Sequence, residues 1–500
     1  MSDEEKHEYV SRKLALNYHL MHPGGDSAPG DPNPAYCLDG TYHLHYILRH
    51  PWHGDQSVVL DRHGGKTFSF IHVTSPDMLH WTWQSTKLQP SYTGHGMFSG
   101  TGFITKEGKP AAIYAGLSEP RHSFIAVARD NSLNSWGKPF PVLPKGGPDG
   151  VDVGLLGDPD CFLVGDTYYA FSASDNVPLC KSTDLATWTY VGPLLKHEMP
   201  DVAIGEDISC ANLFPIGGRW MLLCLSHPFG CRYYLGDWDP EAEQFVPDTH
   251  ERMNWRRSNQ DNAGDPYRDF FAPESVLTAD GRRVIWTWLC TLDPPLNLKT
   301  IQSLPRELSL ANDGSLRIRP LRELESLRYD AVTVNDVSTQ SRFALSRLTR
   351  GGTLVHPIAE LDGDAWEIRI TVDRDQAERK RFGVWLFANG ENEGLPVTIH
   401  PETGTIRLGA SEAPFAVADL PEGEDIDLRI FIDKYLIEVF VCDRQAVLGT
   451  YTDTQAANGL YAYSWSTDTT FRSVEIWKLK PTNEGFFKAQ ANPIWEPDTE

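Results

Sequence analysis

The chain has 500 residues, 40% of them hydrophobic and 23% charged, the balance of a folded globular protein and not of a disordered one. Its 45 basic and 68 acidic residues leave a net charge of −23. That charge argues against nucleic acid or an anionic membrane as partner, because both need a basic footprint. No run approaches the roughly 18 apolar residues of a membrane-spanning helix.

The first residues, Met1 to Lys13, put acids ahead of any apolar stretch and carry no signal-peptide pattern. The eight cysteines form no CxxC pair and no small-domain framework. A cytoplasmic protein with free thiols is the expectation. Helical periodicity is scarce, while short strand-like runs recur: Thr41–Leu48, Phe68–Thr74, Ala111–Ala115, Thr167–Ala173, Trp220–Leu225 and Val284–Leu289. Turn residues such as Asp39-Gly40, Gly217-Gly218 and Asp280-Gly281 punctuate them, which is an all-β signature.

A repeat runs through this part. Ser75-Pro76-Asp77-Met78-Leu79-His80-Trp81 is echoed by Ser182-Thr183-Asp184-Leu185-Ala186-Thr187-Trp188, and more weakly by Asn131 to Trp136. Tryptophans at 81, 136, 188, 238 and 286/288 mark a period near fifty residues. Several short strands per unit at that period predict a β-propeller whose blades must stack to bury their faces. Five periods give a five-bladed β-propeller over residues 1–322. After a linking stretch at Leu321–Arg328 the pattern shifts to longer alternating strands, among them Trp366–Val372, Phe382–Phe387, Leu428–Asp433 and Leu436–Val441. These predict a C-terminal β-sandwich over 335–480, with 481–500 a tail that packs back through Phe486, Phe487 and Trp495.

Three acidic spots precede strand-like runs: Gly30-Asp31-Pro32-Asn33, Gly157-Asp158-Pro159-Asp160 and Gly205-Glu206-Asp207. Their spacings are rough multiples of the blade period, so all three could converge on a central funnel. Converging carboxylates repel and raise one pKa, the arrangement glycoside hydrolysis uses for a nucleophile and a proton donor. A lone Gly-Asp-Pro is usually just a turn. His43, His45, His50, His53, His63, His72 and His80 crowd one stretch, but no metal-binding spacing such as HExxH occurs. His43 and His45 share a strand face, which suits hydrogen bonding within the funnel.

These residues resemble glycoside hydrolase family 32, the invertases, inulinases, levanases and related fructosyltransferases, over nearly the whole chain. Phe98-Ser99-Gly100 is similar to the family's FSG element, Asp269-Phe270-Phe271-Ala272-Pro273 to its DFYAP segment, and Leu304-Pro305-Arg306-Glu307-Leu308 to its LPREL passage. The Ile430–Val441 run resembles the sandwich segment with its F-x-D and EVF pieces. The resemblance implies a propeller plus sandwich and retaining cleavage of β-fructofuranosidic bonds. Asp31 is then similar to the nucleophile, Asp158 to the stabiliser of the transition state, and Glu206 to the acid/base, with Asp207 as its rival. Asn33, Trp52, His72, Phe98, Ser99, Asp207 and Arg268 are the expected substrate contacts. The chemistry requires no metal and no organic cofactor. The partner is a small fructoside or oligosaccharide, and an acidic surface suits a monomer or a homo-oligomer.

The chain departs from the family at defined places. Gly30 and Pro34 replace Asn and Gly around the nucleophile, Ile47 stands for a substrate-contacting Gln, and Gly157 replaces the Arg of RDP. The Glu-Cys pair is stretched to Glu206-Asp207-Ile208-Ser209-Cys210; if Cys210 keeps its place, Ser209 stands where the acid belongs. These changes leave room for a fructan end, another furanoside, or transfer in place of hydrolysis. A propeller that binds carbohydrate without cleaving it is the reading from a different class.

Overall fold

A computed structural model describes residues 15–22, 30–49, 68–118, 120–148, 154–155, 157–173, 177–253, 270–289, 300–339, 355–377, 381–389, 394–451, 454, 457–465 and 468–483. Trp52, His50, His53, His63, Arg268, Asp269, Phe486, Phe487 and Trp495 lie outside them. Among the described residues the structure is nearly all β. Its two α-helices, Pro90–Thr93 and Arg374–Ala377, have four residues each, and no helix is long and apolar enough to cross a membrane.

Five antiparallel sheets follow one another along the chain, each ordered as its strands occur. The first holds Ala35–Leu38, Thr41–Arg49, Phe68–Ser75 and Thr82–Gln84. Gly96–Ile104, Pro110–Leu117, His122–Val127 and Phe140–Pro141 form the second. The third, Asp160–Val164, Thr167–Phe171, Pro178–Ser182 and Trp188–Pro193, gains Pro144–Lys145 as a parallel edge strand. The fourth is Ser209–Ile216, Arg219–Ser226, Gly230–Asp239 and Gln244–Arg252, and the fifth Phe271–Leu277, Arg283–Trp288, Arg306–Leu310 and Leu316–Pro320.

The first strands of these sheets neighbour one another in order, and that of the fifth returns to that of the first. Buried polar side chains join every step of the ring. Gly100 N–H donates to Asn33 Oδ1 (3.3 Å), Thr101 Oγ1 to Asp160 Oδ1 (2.6 Å), and Leu213 N–H to Asp160 Oδ2 (2.8 Å). Ser275 N–H donates to Asn212 Oδ1 (2.8 Å), Asn212 Nδ2 to Glu274 Oε2 (3.2 Å), and Ala35 N–H to Glu274 Oε1 (3.0 Å). Each sheet thus gives its neighbour a hydrogen bond where water is excluded and an unmet group would cost about 1–3 kcal/mol.

The tryptophan repeat has a local cause. Ser75 and Ser182 open the turn between the third and fourth strands, and Asp77 Oδ1 and Asp184 Oδ1 each accept two backbone N–H groups within it. Met78, Leu133 and Leu185 take the left-handed conformation at matching positions. Trp136 and Trp188 then turn inward, their indole N–H groups donating to the carbonyls of Leu133 and Leu185. The period is structural for the first three sheets. In the fourth, Trp238 ends the third strand, and in the fifth Trp286 lies in the second strand, so these two are not equivalents of the others.

A 3₁₀ turn at Arg322–Leu327 leads into two six-stranded sheets. One runs in the order Arg328–Thr339, Thr469–Leu479, Ala365–Val372, Ile426–Asp433, Leu436–Val441, Gln445–Thr450. The other runs Val355–Glu360, Gly459–Ser464, Phe382–Ala388, Leu395–His400, Thr405–Leu408, Ser411–Pro414. Alternate residues of both, such as Ile368, Ile370, Val384, Leu386, Val397, Ile430 and Val439, fill one shared core.

The two halves are joined by a buried charged cluster. Asp433 accepts the backbone N–H groups of Asn17 (2.7 Å), Tyr18 (2.9 Å) and His19 (3.0 Å), and the His19 ring bridges Asp433 (2.9 Å) and Glu438 (3.3 Å). Glu438 in turn holds Arg306 Nη2 (2.8 Å) and Leu304 N–H (2.8 Å). The family-like pieces around Arg306, Asp433 and Glu438 are therefore a joint between the halves. Thr482 and Asn483, at the start of the tail, bond back to the same N-terminal segment.

Candidate active site

All three acidic spots precede a first strand. Asp31 leads into Ala35–Leu38, Asp158 into Asp160–Val164, and Glu206-Asp207 into Ser209–Ile216. The sequence placed the first two spots before Tyr42 and Thr167, in the second strands, because the short strands at 35–38 and 160–164 carry no alternation long enough to read; the third, set before Leu213, does precede the strand that holds Leu213.

In the second, fourth and fifth sheets the first strand has a one-residue bulge near its start, between Met97 and Gly100, Ser209 and Asn212, and Phe271 and Glu274. A bulge re-aims side chains, and two of these aim at Asp31. Ser99 Oγ donates to Asp31 Oδ2 at 2.5 Å. The Cys210 thiol lies 3.8 Å from the same oxygen and 3.5 Å from Asp158 Oδ2, and Cys210 N–H donates to Asp158 Oδ2 at 3.2 Å. Gly100 is required by close approach, since a Cβ there would lie 1.9 Å from the Ile113 carbonyl oxygen.

Asp31 is 4% exposed. Burial pushes its carboxyl up to about 7; the Ser99 hydrogen bond opposes this, the neighbouring Asp158 adds to it, and the charge of His227 pulls it down. Asp158, at a left-handed φ of 39°, is also raised by burial, against the bonds from Cys210 and the charges of His227 and Arg121. The result is two coupled carboxyls, one of them near half-ionised at neutral pH.

Glu206 is placed differently. Its side chain is fully buried against Arg252 Nη2 (3.0 Å), Arg232 Nη1 (3.3 Å), His250 Nε2 (3.5 Å) and Ala203 N–H (2.8 Å). Burial alone would raise its pKa, but these partners hold it at about 2. Two guanidinium groups and an imidazole around Glu206 thus favour its ionised form. Asp207 is held at about 2 as well, against burial, by His227 and Ser209. Ser209 Oγ donates to its Oδ2 (2.8 Å), and His227 bonds it through Nδ1 (2.6 Å) and its backbone N–H (2.8 Å).

Two expected contacts are enclosed. His72 is fully buried, stacked on His45 at 4.4 Å, with Nε2 3.0 Å from His43 Nδ1 and Nδ1 3.1 Å from Asn134 Oδ1. It packs within the first sheet. Asn33, 1% exposed, serves the hydrogen-bond ring. Phe98 is half-buried with its ring edge on Phe68 at 5.6 Å.

The departures have physical counterparts. Gly30 has no room for a side chain, because a Cβ would meet Thr300 Cγ2 at 2.7 Å and Trp288 Nε1 at 3.0 Å. Gly157 opens onto space, with nothing within 4 Å of a Cβ position. The cationic charge beside Asp158 comes from Arg121 and His227, on other sheets. Neither residue carried a motif. His227 is foreshadowed only by pairing, since it lies two residues beyond Leu225 while Asp207 lies two before its partner Ser209.

A carboxyl pair stands where first strands of the ring begin, the arrangement that glycoside cleavage uses, and comparison with known proteins gives the class and the family. Residues 27–320 match the Glycosyl hydrolases family 32 N-terminal domain, and 323–478 match Glycosyl hydrolases family 32 C terminal. The chain belongs to glycosyl hydrolase family 32. It is 26% identical to the raffinose invertase of Escherichia coli, over 92% of this chain and 94% of that one. It is also 26% identical to the sucrose-6-phosphate hydrolase of Salmonella typhimurium, over 84% and 85%. Among solved structures, fructan 1-exohydrolase IIa from Cichorium intybus shares the fold with a TM-score of 0.71 at 19% identity, over 94% of this chain and 98% of that one.

Proposed function

We propose that this chain is a retaining β-fructofuranosidase that hydrolyses fructosides or fructans by double displacement. The observation that carries the reading is the Asp31–Asp158 pair, Asp31 buried and Asp158 half-buried beside it, bridged by Cys210. In this reading Asp31 attacks the anomeric carbon C2, Asp158 steadies the charge that develops on the furanose, and a general acid protonates the leaving oxygen. Water then releases fructose from Asp31. Ser99 holds the attacking carboxylate in register.

The five-sheet ring is read as a five-bladed propeller over residues 1–322, the two six-stranded sheets as the β-sandwich expected over 335–480, with its first strand beginning earlier, at Arg328, and 481–500 as a tail. The ring of hydrogen bonds between first strands supports the first assignment, the shared core the second. A cytoplasmic location fits the described cysteines, which form no disulfide.

The test is a substrate panel of sucrose, raffinose, sucrose 6-phosphate, and inulin-type and levan-type oligosaccharides, with products resolved by chromatography. Free fructose rising in step with substrate loss, and its disappearance in Asp31→Asn, supports the hydrolase. Longer oligosaccharides would make it a fructosyltransferase, and binding without release a carbohydrate-binding propeller.

A further inference from the structure

We infer that His227, aligned by Asp207, is the general acid and base of this site. The inference rests on the fructosidase reading above.

The Ser209–Ile216 strand pairs with Arg219–Ser226 as Asn212↔Leu223, but as Ser209↔Leu225 beyond the bulge. That extra residue brings Asp207 opposite His227, where ring and backbone both bond to one carboxylate, Nδ1 at 2.6 Å and N–H at 2.8 Å. Without the bulge Ile208 would face His227 and Asp207 would turn to the other face. Ser209 Oγ and Arg232 complete the mount, Ser209 on the Asp207 side chain and Arg232 on the carbonyls of Glu206 and Asp207.

The dyad faces the reacting pair. The His227 ring meets the edge of Phe271 at 5.7 Å, and Phe271 packs with Cys210 and Trp288 in one cluster. Cys210 is the residue that touches both Asp31 and Asp158, and Trp288 borders Gly30. The charge of His227 acts on both carboxyls. Its side chain is 53% exposed, so a substrate can reach it. The carboxylate of Asp207 accepts from Nδ1–H, which fixes the neutral tautomer with its proton on Nδ1, so Nε2 is the base of the neutral ring and carries the second proton of the imidazolium.

The proton balance follows. The imidazolium Nε2–H protonates the glycosidic oxygen as the C2–O bond breaks toward that oxygen and an Asp31 oxygen bonds C2. His227 is left neutral. In the second step Nε2 takes a proton from the attacking water, the C2–Asp31 bond breaks, and the imidazolium is restored. Asp207 stays ionised throughout, consistent with the pull of His227 on it.

The experiment compares two substrates of the wild-type enzyme in first-turnover kinetics: sucrose, whose leaving oxygen needs a proton, and β-fructofuranosyl fluoride, whose fluoride needs little help. For His227→Gln the expected result is a fall of about 10²–10⁴ in glucose release from sucrose, with fluoride release within about tenfold of wild type. Fluoride release also reports that the variant is folded. For Asp207→Asn the alkaline limb of kcat/KM on sucrose moves to lower pH, because the imidazolium loses its carboxylate partner; a merely structural role would leave the limb in place. A His227→Gln variant in which both substrates fall together, or neither falls, overturns the inference and leaves the fructosidase reading standing. A wild type that cleaves neither removes both.

Discussion

His19 offers a quantitative test of how the two halves of the molecule are joined. Its ring is fully buried between Asp433 and Glu438. Burial disfavours the charged ring, but the two carboxylates outweigh it and raise the pKa from 6.5 to about 9. A raised histidine binds its proton more tightly in the folded state. Its contribution is therefore complete below the unfolded pKa near 6.5 and is lost as pH rises through about 9. The shift of about 2.5 units at 1.36 kcal/mol each corresponds to about 3 kcal/mol. The perturbation is His19→Gln, which leaves Asp433 its three backbone donors and Glu438 its bond to Arg306. The assay is urea unfolding of both proteins at half-unit steps from pH 6 to 10. The difference in unfolding free energy is expected to be near 3 kcal/mol at pH 6 and to shrink toward zero by pH 10. Groups remote from the joint, Asp31 among them, contribute equally to both curves and cancel; Asp433 and Glu438, which His19 holds down, do not. Two parallel curves would refute a charged His19 in the joint.

Further outcomes follow from the site. Ser99→Ala removes a donor to the ionised form of Asp31, so the acidic limb of kcat/KM, expected near pH 7 in the wild type, should move to higher pH; pH–rate profiles on the best fructoside check this. Gly30→Asn, which restores the family residue, should destabilise by about 1–3 kcal/mol because Thr300 and Trp288 occupy the space, and Thr300→Ala in the same chain should recover part of it in thermal melts. Glu206→Gln leaves Arg232 buried against a neutral amide and should cost about 3–5 kcal/mol in unfolding free energy.

Much of the architecture was legible along the chain. Turn residues between short apolar runs specify an all-β protein, and the Ser-x-Asp turn with its buried tryptophan marks the spacing of the first three sheets. The positions of Asp31 and Asp158 before strands were readable for the same local reason. The periodicity misled where Trp286 fell on the count without being equivalent, since a period records spacing and not which strand a residue occupies. The histidine-rich stretch was legible as a cluster, but only packing showed His72 enclosed behind His43 and His45.

By itself, then, the sequence determined the strand-forming class, the two-part organisation and the acidic turns ahead of strands, because these depend on local turn chemistry and alternation; that Asp31 and Asp158 head the short first strands emerged only from the structure. The tertiary structure decided the ionisation of those groups and which of them face each other. Glu206 and Asp207 are adjacent in sequence and nearly equivalent as residues, yet one is locked among Arg232, Arg252 and His250 while the other meets His227. A single bulged residue near Cys210 makes that choice, because strand side chains alternate and one extra residue exchanges the faces. Such an exchange depends on the register against the neighbouring strand, where Asn212 faces Leu223 but Ser209 faces Leu225, and no local pattern encodes it.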